Sequence, residues 1–110
     1  MTVTAAPRVP APERHVFGPK RHRYCVAVFV INEGERVRAQ LRGMAPLADR
    51  IDIVVADGGS TDGSLALDSL GEFRLRALLV KRGPGKLSAQ MRMAIAFALD
   101  EGYDGLVVID

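Results

Sequence analysis

Four short apolar runs, each stopping at polar or charged residues, constrain the fold more than any other feature of this chain. They are YCVAVFVI at residues 24–31, IDIVVAD at 51–57, LRALLV at 75–80 and DGLVVID at 104–110. The first is β-branched and aromatic with little alternation, so both of its faces should be buried, as in a parallel sheet. Between the runs lie segments with helical spacing. Residues 35–45 set Val37, Leu41 and Met44 on one face, with Arg36, Arg38 and Arg42 facing out and Pro46 closing the helix. Residues 60–70, STDGSLALDSL, offer cap residues and a short helix ending at Gly71. Residues 86–100 make the longest helix, with Leu87, Met91, Ile95 and Leu99 as its apolar stripe. The resulting β-α-β-α-β-α-β order predicts an α/β fold: an open, mainly parallel, Rossmann-like sheet covered on both faces.

Residues 1–23 read differently. They carry four of the six prolines, with five of the 15 Lys/Arg and one of the 13 acids. A flexible, basic, Pro-rich arm is expected there, with residues 24–110 as the folded part. The sequence pI near 9.0 therefore belongs largely to the arm, and no nucleic-acid surface is expected. The single cysteine, Cys25, sits in an apolar run and reads as a packing residue. His15 and His22 are the only histidines, so a structural zinc site is excluded. No apolar stretch reaches the ~18 residues of a membrane span, and the N-terminus has no signal-peptide core, which sets the expectation of a cytoplasmic protein.

In an open α/β sheet, ligands bind beyond the carboxyl ends of the strands. The first run ends in Asn32-Glu33, the second in Asp57, the third is followed by Lys81-Arg82, and the fourth ends in Asp110. Charge gathered at one edge is costly to bury without a purpose. Asp57 can accept hydrogen bonds from a ligand, and Gly58 and Gly59 let that ligand approach the backbone. Ser60, Thr61 and Asp62 suit either a helix cap or a ligand. The turn RGPGKLS is no P-loop, because Val80 and Leu87 stand where glycine and Ser/Thr are required, and Ser88 breaks a GxGxxG pattern. A glycine-rich turn entering a helix, with Lys81, Arg82 and Lys86 nearby, nevertheless suits an anion such as a diphosphate.

VINEGE, VVADGGSTDGS, GPGKLSAQMRMAIAFA and YDGLVVID together resemble, in order and spacing, family 2 glycosyltransferases of the GT-A fold. The resemblance covers about residues 24–110 and implies the donor-binding, N-terminal half of such a domain, incomplete at the C-terminus. It implies a nucleotide-diphosphate sugar donor, an acceptor hydroxyl on a lipid, polysaccharide or other molecule, and Mg²⁺ or Mn²⁺. By resemblance, Asp57 would contact the base, and Ile31, Asn32 and Glu33 would lie beside the nucleoside. Gly59, Ser60, Gly85 and Lys86 would complete the nucleotide-sugar site, and Asp110 would open the metal motif. Phe29 stands where many members carry proline, and Gly58 where many carry a second aspartate. The catalytic base is expected beyond residue 110, so this chain alone should be inactive. The competing expectation is a non-catalytic nucleotide- or phosphate-binding α/β module, receiver-like or a pseudoenzyme fragment.

Overall fold

The computed structural model describes residues 11–109. Five strands and two α-helices follow in the order β1 (Glu13–Val16), β2 (Tyr24–Val30), α1 (Glu35–Met44), β3 (Asp52–Asp57), β4 (Ala77–Val80), α2 (Leu87–Asp100) and β5 (Gly105–Ile109). They form one mixed sheet in the order β1-β4-β3-β2-β5, in which β1 runs antiparallel to β4 and the other pairs are parallel. The protein is thus an α/β chain with a mostly parallel five-stranded sheet.

The unalternating runs behave as their composition dictates. All six residues of β3 and all but the first of β2 are buried, because both faces of these strands are covered. On one face Val28, Val55 and Leu78 pack with Val37 and Leu41 of α1 and with Phe73. On the other, Ala27, Ala56 and Ala77 lie with Phe97, Ala94 and Ala98 of α2. Alanines on both surfaces let α2 approach the sheet closely. Cys25 is buried in this second cluster, as its apolar setting predicts.

Four expectations are corrected. Residues 13–16 are not part of an arm but an edge strand, with Glu13 opposite Val80 and Val16 opposite Ala77. ERHV shows no apolar alternation, so its pairing rests on main-chain hydrogen bonds and on flanking ion pairs, Arg14 to Asp100 at 2.8 Å and Arg82 to Glu13. Second, residues 60–70 form no α-helix. Two 3-10 turns, Leu67–Ser69 and Gly71–Phe73, stand in its place. Asp62 explains part of this, since its Oδ1 accepts from the Ser64 amide at 3.0 Å and the Ser64 hydroxyl at 2.6 Å, a local alternative to helical bonding.

Third, α2 does not bury the stripe of Leu87, Met91, Ile95 and Leu99. It buries Gln90, Met93, Ala94, Phe97 and Ala98, and leaves Leu99 73% exposed. The bulk of Phe97 and the small Ala94 and Ala98 select the face that packs. Among the described residues β5 pairs only with β2, and Val107 is 50% exposed. Fourth, Arg38 departs from the outward orientation expected for it. Its guanidinium lies over the Phe73 ring at 4.9 Å and donates to the Ser64 carbonyl, the Ser69 hydroxyl and the Ser69 carbonyl. Among the described residues no helix is long and apolar enough to cross a membrane.

Candidate functional site

The parallel register sets Val30 opposite Asp57, and Asp57 opposite Val80, so β2, β3 and β4 end level with one another. Their following loops therefore emerge side by side at the carboxyl edge. The loop after β2 carries Ile31, Asn32 and Glu33, and the loop after β3 carries Gly58 to Ser64.

These two loops are stitched together. The Gly58 amide donates to the Val30 carbonyl at 2.8 Å. The Asn32 amide donates to the Ser60 hydroxyl oxygen at 2.9 Å, and the Thr61 amide returns a bond to Asn32 Oδ1 at 2.8 Å. Further out, the Gly34 amide donates to Asp62 Oδ2 at 2.9 Å. Asn32 sits at φ 44°, a left-handed conformation that asparagine tolerates and that these bonds hold. The hydrogen bonds from the Ser64 hydroxyl and amide, with that from Gly34, hold the Asp62 carboxyl below its ordinary range.

Asp57 answers for the abrupt end of its strand. It is only 4% exposed, and its Oδ1 accepts from the Gly59 amide at 3.2 Å, the Ser60 amide at 2.9 Å and the Ser60 hydroxyl at 2.6 Å. One carboxylate oxygen thus folds the turn back on itself. The tight return needs Gly59 at φ 101°, where a side chain would be strained. Oδ2 makes no hydrogen bond among the described residues. Ser60 links the two loops, joining Asp57 on one side to Asn32 on the other.

A cleft of about 680 Å³ opens beside this network, lined by Ile31, Asn32 and Glu33 together with Arg36, Leu87 and Gln90. Glu33 is ion-paired with Arg36 at the rim. Asp57, Gly59 and Ser60 do not line the cleft; they adjoin it through the Ser60–Asn32 bond. Gly85 lies elsewhere, in a smaller cavity of about 290 Å³ between α2 and the start of β1, with Lys81 and Arg82. Lys81 Nζ donates to the carbonyls of Gly83 at 3.0 Å and Gly85 at 2.7 Å, and so shapes the glycine turn. Lys86 is exposed just before α2 and makes no ion pair among the described residues. The structure therefore gathers Ile31, Asn32, Glu33, Asp57, Gly59 and Ser60 around one network, and sets Gly85 and Lys86 to its side.

The residue that sequence reasoning missed is Gln90. It is buried at 6% exposure, and its Nε2 donates to the Val30 carbonyl at 3.0 Å and the Ala56 carbonyl at 2.9 Å. A polar residue on the buried face of α2 was the available signal, masked by the more regular apolar stripe.

Among the described residues no three His, Cys, Asp or Glu side chains converge to hold a metal ion. Asp110, the expected first ligand for Mg²⁺ or Mn²⁺, lies outside the described residues. No protein-family model, curated protein or solved structure matches this chain.

Proposed function

We propose that the chain is the nucleotide-sugar-binding part of a family 2 glycosyltransferase, an enzyme that moves a sugar from a nucleotide-diphosphate donor to an acceptor hydroxyl. On this reading the sheet belongs to a three-layer GT-A domain. The observation that carries the proposal is the interlocked pair of loops at the carboxyl edge of β2 and β3, with a buried aspartate at its base. A cleft of about 680 Å³ beside them is of the size that small-molecule sites occupy.

On this reading the residues take the roles that the resemblance implies. Asp57 uses Oδ1 to fix its own loop, which leaves Oδ2 as a charged acceptor for base N–H groups. Asn32 and Glu33 border the nucleoside, and Ile31 gives it an apolar wall. Lys86 offers an unpaired ammonium to the diphosphate. A Mg²⁺ or Mn²⁺ ion, which neutralises the departing diphosphate when bound, belongs to this reading through Asp110. A cytoplasmic setting belongs to it as well, at the membrane face where the acceptor is lipid-linked. The receiver-like alternative asks Asp57 to act as a free phosphoacceptor. Three hydrogen bonds on Oδ1 favour the anchoring role instead.

Calorimetric titration of uridine and guanosine diphosphates tests the reading, with Asp57→Asn as the decisive variant. Asparagine keeps an oxygen for the loop amides but removes the charge that this reading assigns to the ligand. A charge-assisted bond contributes about 1.5–3 kcal/mol, so affinity should fall roughly 10- to 150-fold. Equal affinity for both proteins, or no binding of either nucleotide by the wild type, rejects the proposal.

A further inference from the structure

Gln90 hydrogen-bonds to both site strands from α2 below them. Its Nε2 donates to the carbonyl of Val30, the last residue of β2, and to that of Ala56, the penultimate residue of β3. The Val30 carbonyl also receives the Gly58 amide, so a single oxygen joins α2, the end of β2 and the start of the β3 loop. Above this junction stand the residues assigned to the nucleotide: Asn32 two positions after Val30, and Asp57 one position after Ala56.

The neighbouring glycine fits the same arrangement. A Cβ at Gly58 would lie 3.2 Å from Gln90 Nε2, 3.3 Å from its Cδ and 3.4 Å from Ile31 Cβ. A side chain at position 58 would therefore press on the carboxamide, which would have to give by a few tenths of an ångström.

We propose that Gln90 is the positioning residue of the site. It holds the Asn32 loop and the Asp57 loop at a fixed separation, and position 58 is glycine because the carboxamide needs the room. The proposal rests on the nucleotide-binding reading above for its ligand, but not for its geometry. Gln90 borders the cleft, but its Nε2 is committed to the Val30 and Ala56 carbonyls, and it acts through them. Its buried donor group is matched by two carbonyls, so removing it takes one hydrogen bond from each strand end and leaves the Val30 carbonyl with the Gly58 amide alone.

The test uses the whole chain and the variants Gln90→Leu, Gln90→Ala, Met93→Ala, Gly58→Ala and the double variant Gly58→Ala/Gln90→Ala. Gln90→Leu keeps the bulk and loses both donors. Amide hydrogen exchange at Asn32, Gly58, Ser60 and Thr61 should accelerate about tenfold or more in Gln90→Leu, with Val54 and Val55 unchanged. Affinity for uridine or guanosine diphosphate should fall by a similar factor. Met93→Ala thins the packing of the same helix without touching either loop, and should leave both readouts in place. Gly58→Ala should weaken binding in the wild-type background and weaken it no further once Gln90 is alanine. Unchanged exchange in Gln90→Leu, or faster exchange with unchanged affinity, overturns the positioning role. So does an equal loss in Met93→Ala. If the wild type binds neither nucleotide, the transferase reading falls, and the exchange arm still decides whether Gln90 couples the loops.

Discussion

Cys25 shows how a residue's surroundings replace its intrinsic chemistry. It is 1% exposed, beneath α2. Burial first, and then the nearby Asp52 carboxylate, push its thiol up to about 11, against a smaller opposing effect of Arg76. A thiol held neutral this firmly is a packing group and a poor nucleophile. The folded state therefore holds the proton more tightly than the unfolded one. The stability this confers is complete below the unfolded value of 9.0 and is lost as pH rises towards 11. Urea denaturation between about pH 8 and pH 10.5 should show the midpoint falling, and Cys25→Ala should flatten that fall. The same residue scale shows what the sequence makes legible. Asp57 stands out because an apolar run ends on it. Its division into an anchoring oxygen and an open one is invisible, since that depends on the turn made by Gly59 and Ser60. Gln90 is hidden for a different reason: a glutamine on a helix ordinarily faces water, and only the packed helix shows two carbonyls beneath it.

At the scale of elements, hydrophobic period separated strand from helix well where one face dominates. The buried set Val37, Leu41 and Met44 in α1 was readable from spacing alone. The period misled in α2, where two apolar stripes compete and side-chain volume against the sheet decides between them. The segment between β3 and β4 failed for a third reason. Its polar side chains bond their own backbone, and its fold is then completed by Arg38 from α1. Arg38 is consequently an element-level fastener, tying α1 to the 3-10 segment through Ser64 and Ser69 while covering Phe73. Arg38→Met should keep most of the packing and lose the three hydrogen bonds, a cost of about 1–3 kcal/mol. Chemical denaturation monitored by circular dichroism measures it; a loss below about 0.5 kcal/mol would show that the segment holds without this side chain.

For the whole molecule, the two edges of the sheet are unlike. On the β4 side, β1 supplies a short covering strand flanked by charge. On the other, β5 pairs only with β2 among the described residues. Register sets Leu106 opposite Cys25 and Val108 opposite Ala27, so both lie on the face that α2 covers. Ile95 and Leu99 of α2 remain exposed, as does Val108. An apolar surface next to an open strand edge promotes association. Sedimentation velocity should show self-association rising with concentration, and Ile95→Glu with Leu99→Lys should suppress it without lowering the melting temperature. A concentration-independent monomer would reject this expectation. The position of β2 and β3 has a further consequence. Each is laced to a neighbour along both margins, whereas among the described residues β1 and β5 hang by one. Dismantling therefore begins at the flanks and reaches the middle pair last. The loops bearing Asn32 and Asp57 grow from that middle pair, so the candidate site is mounted on the keel of the structure, and either outer plank can lift away while the site keeps its shape.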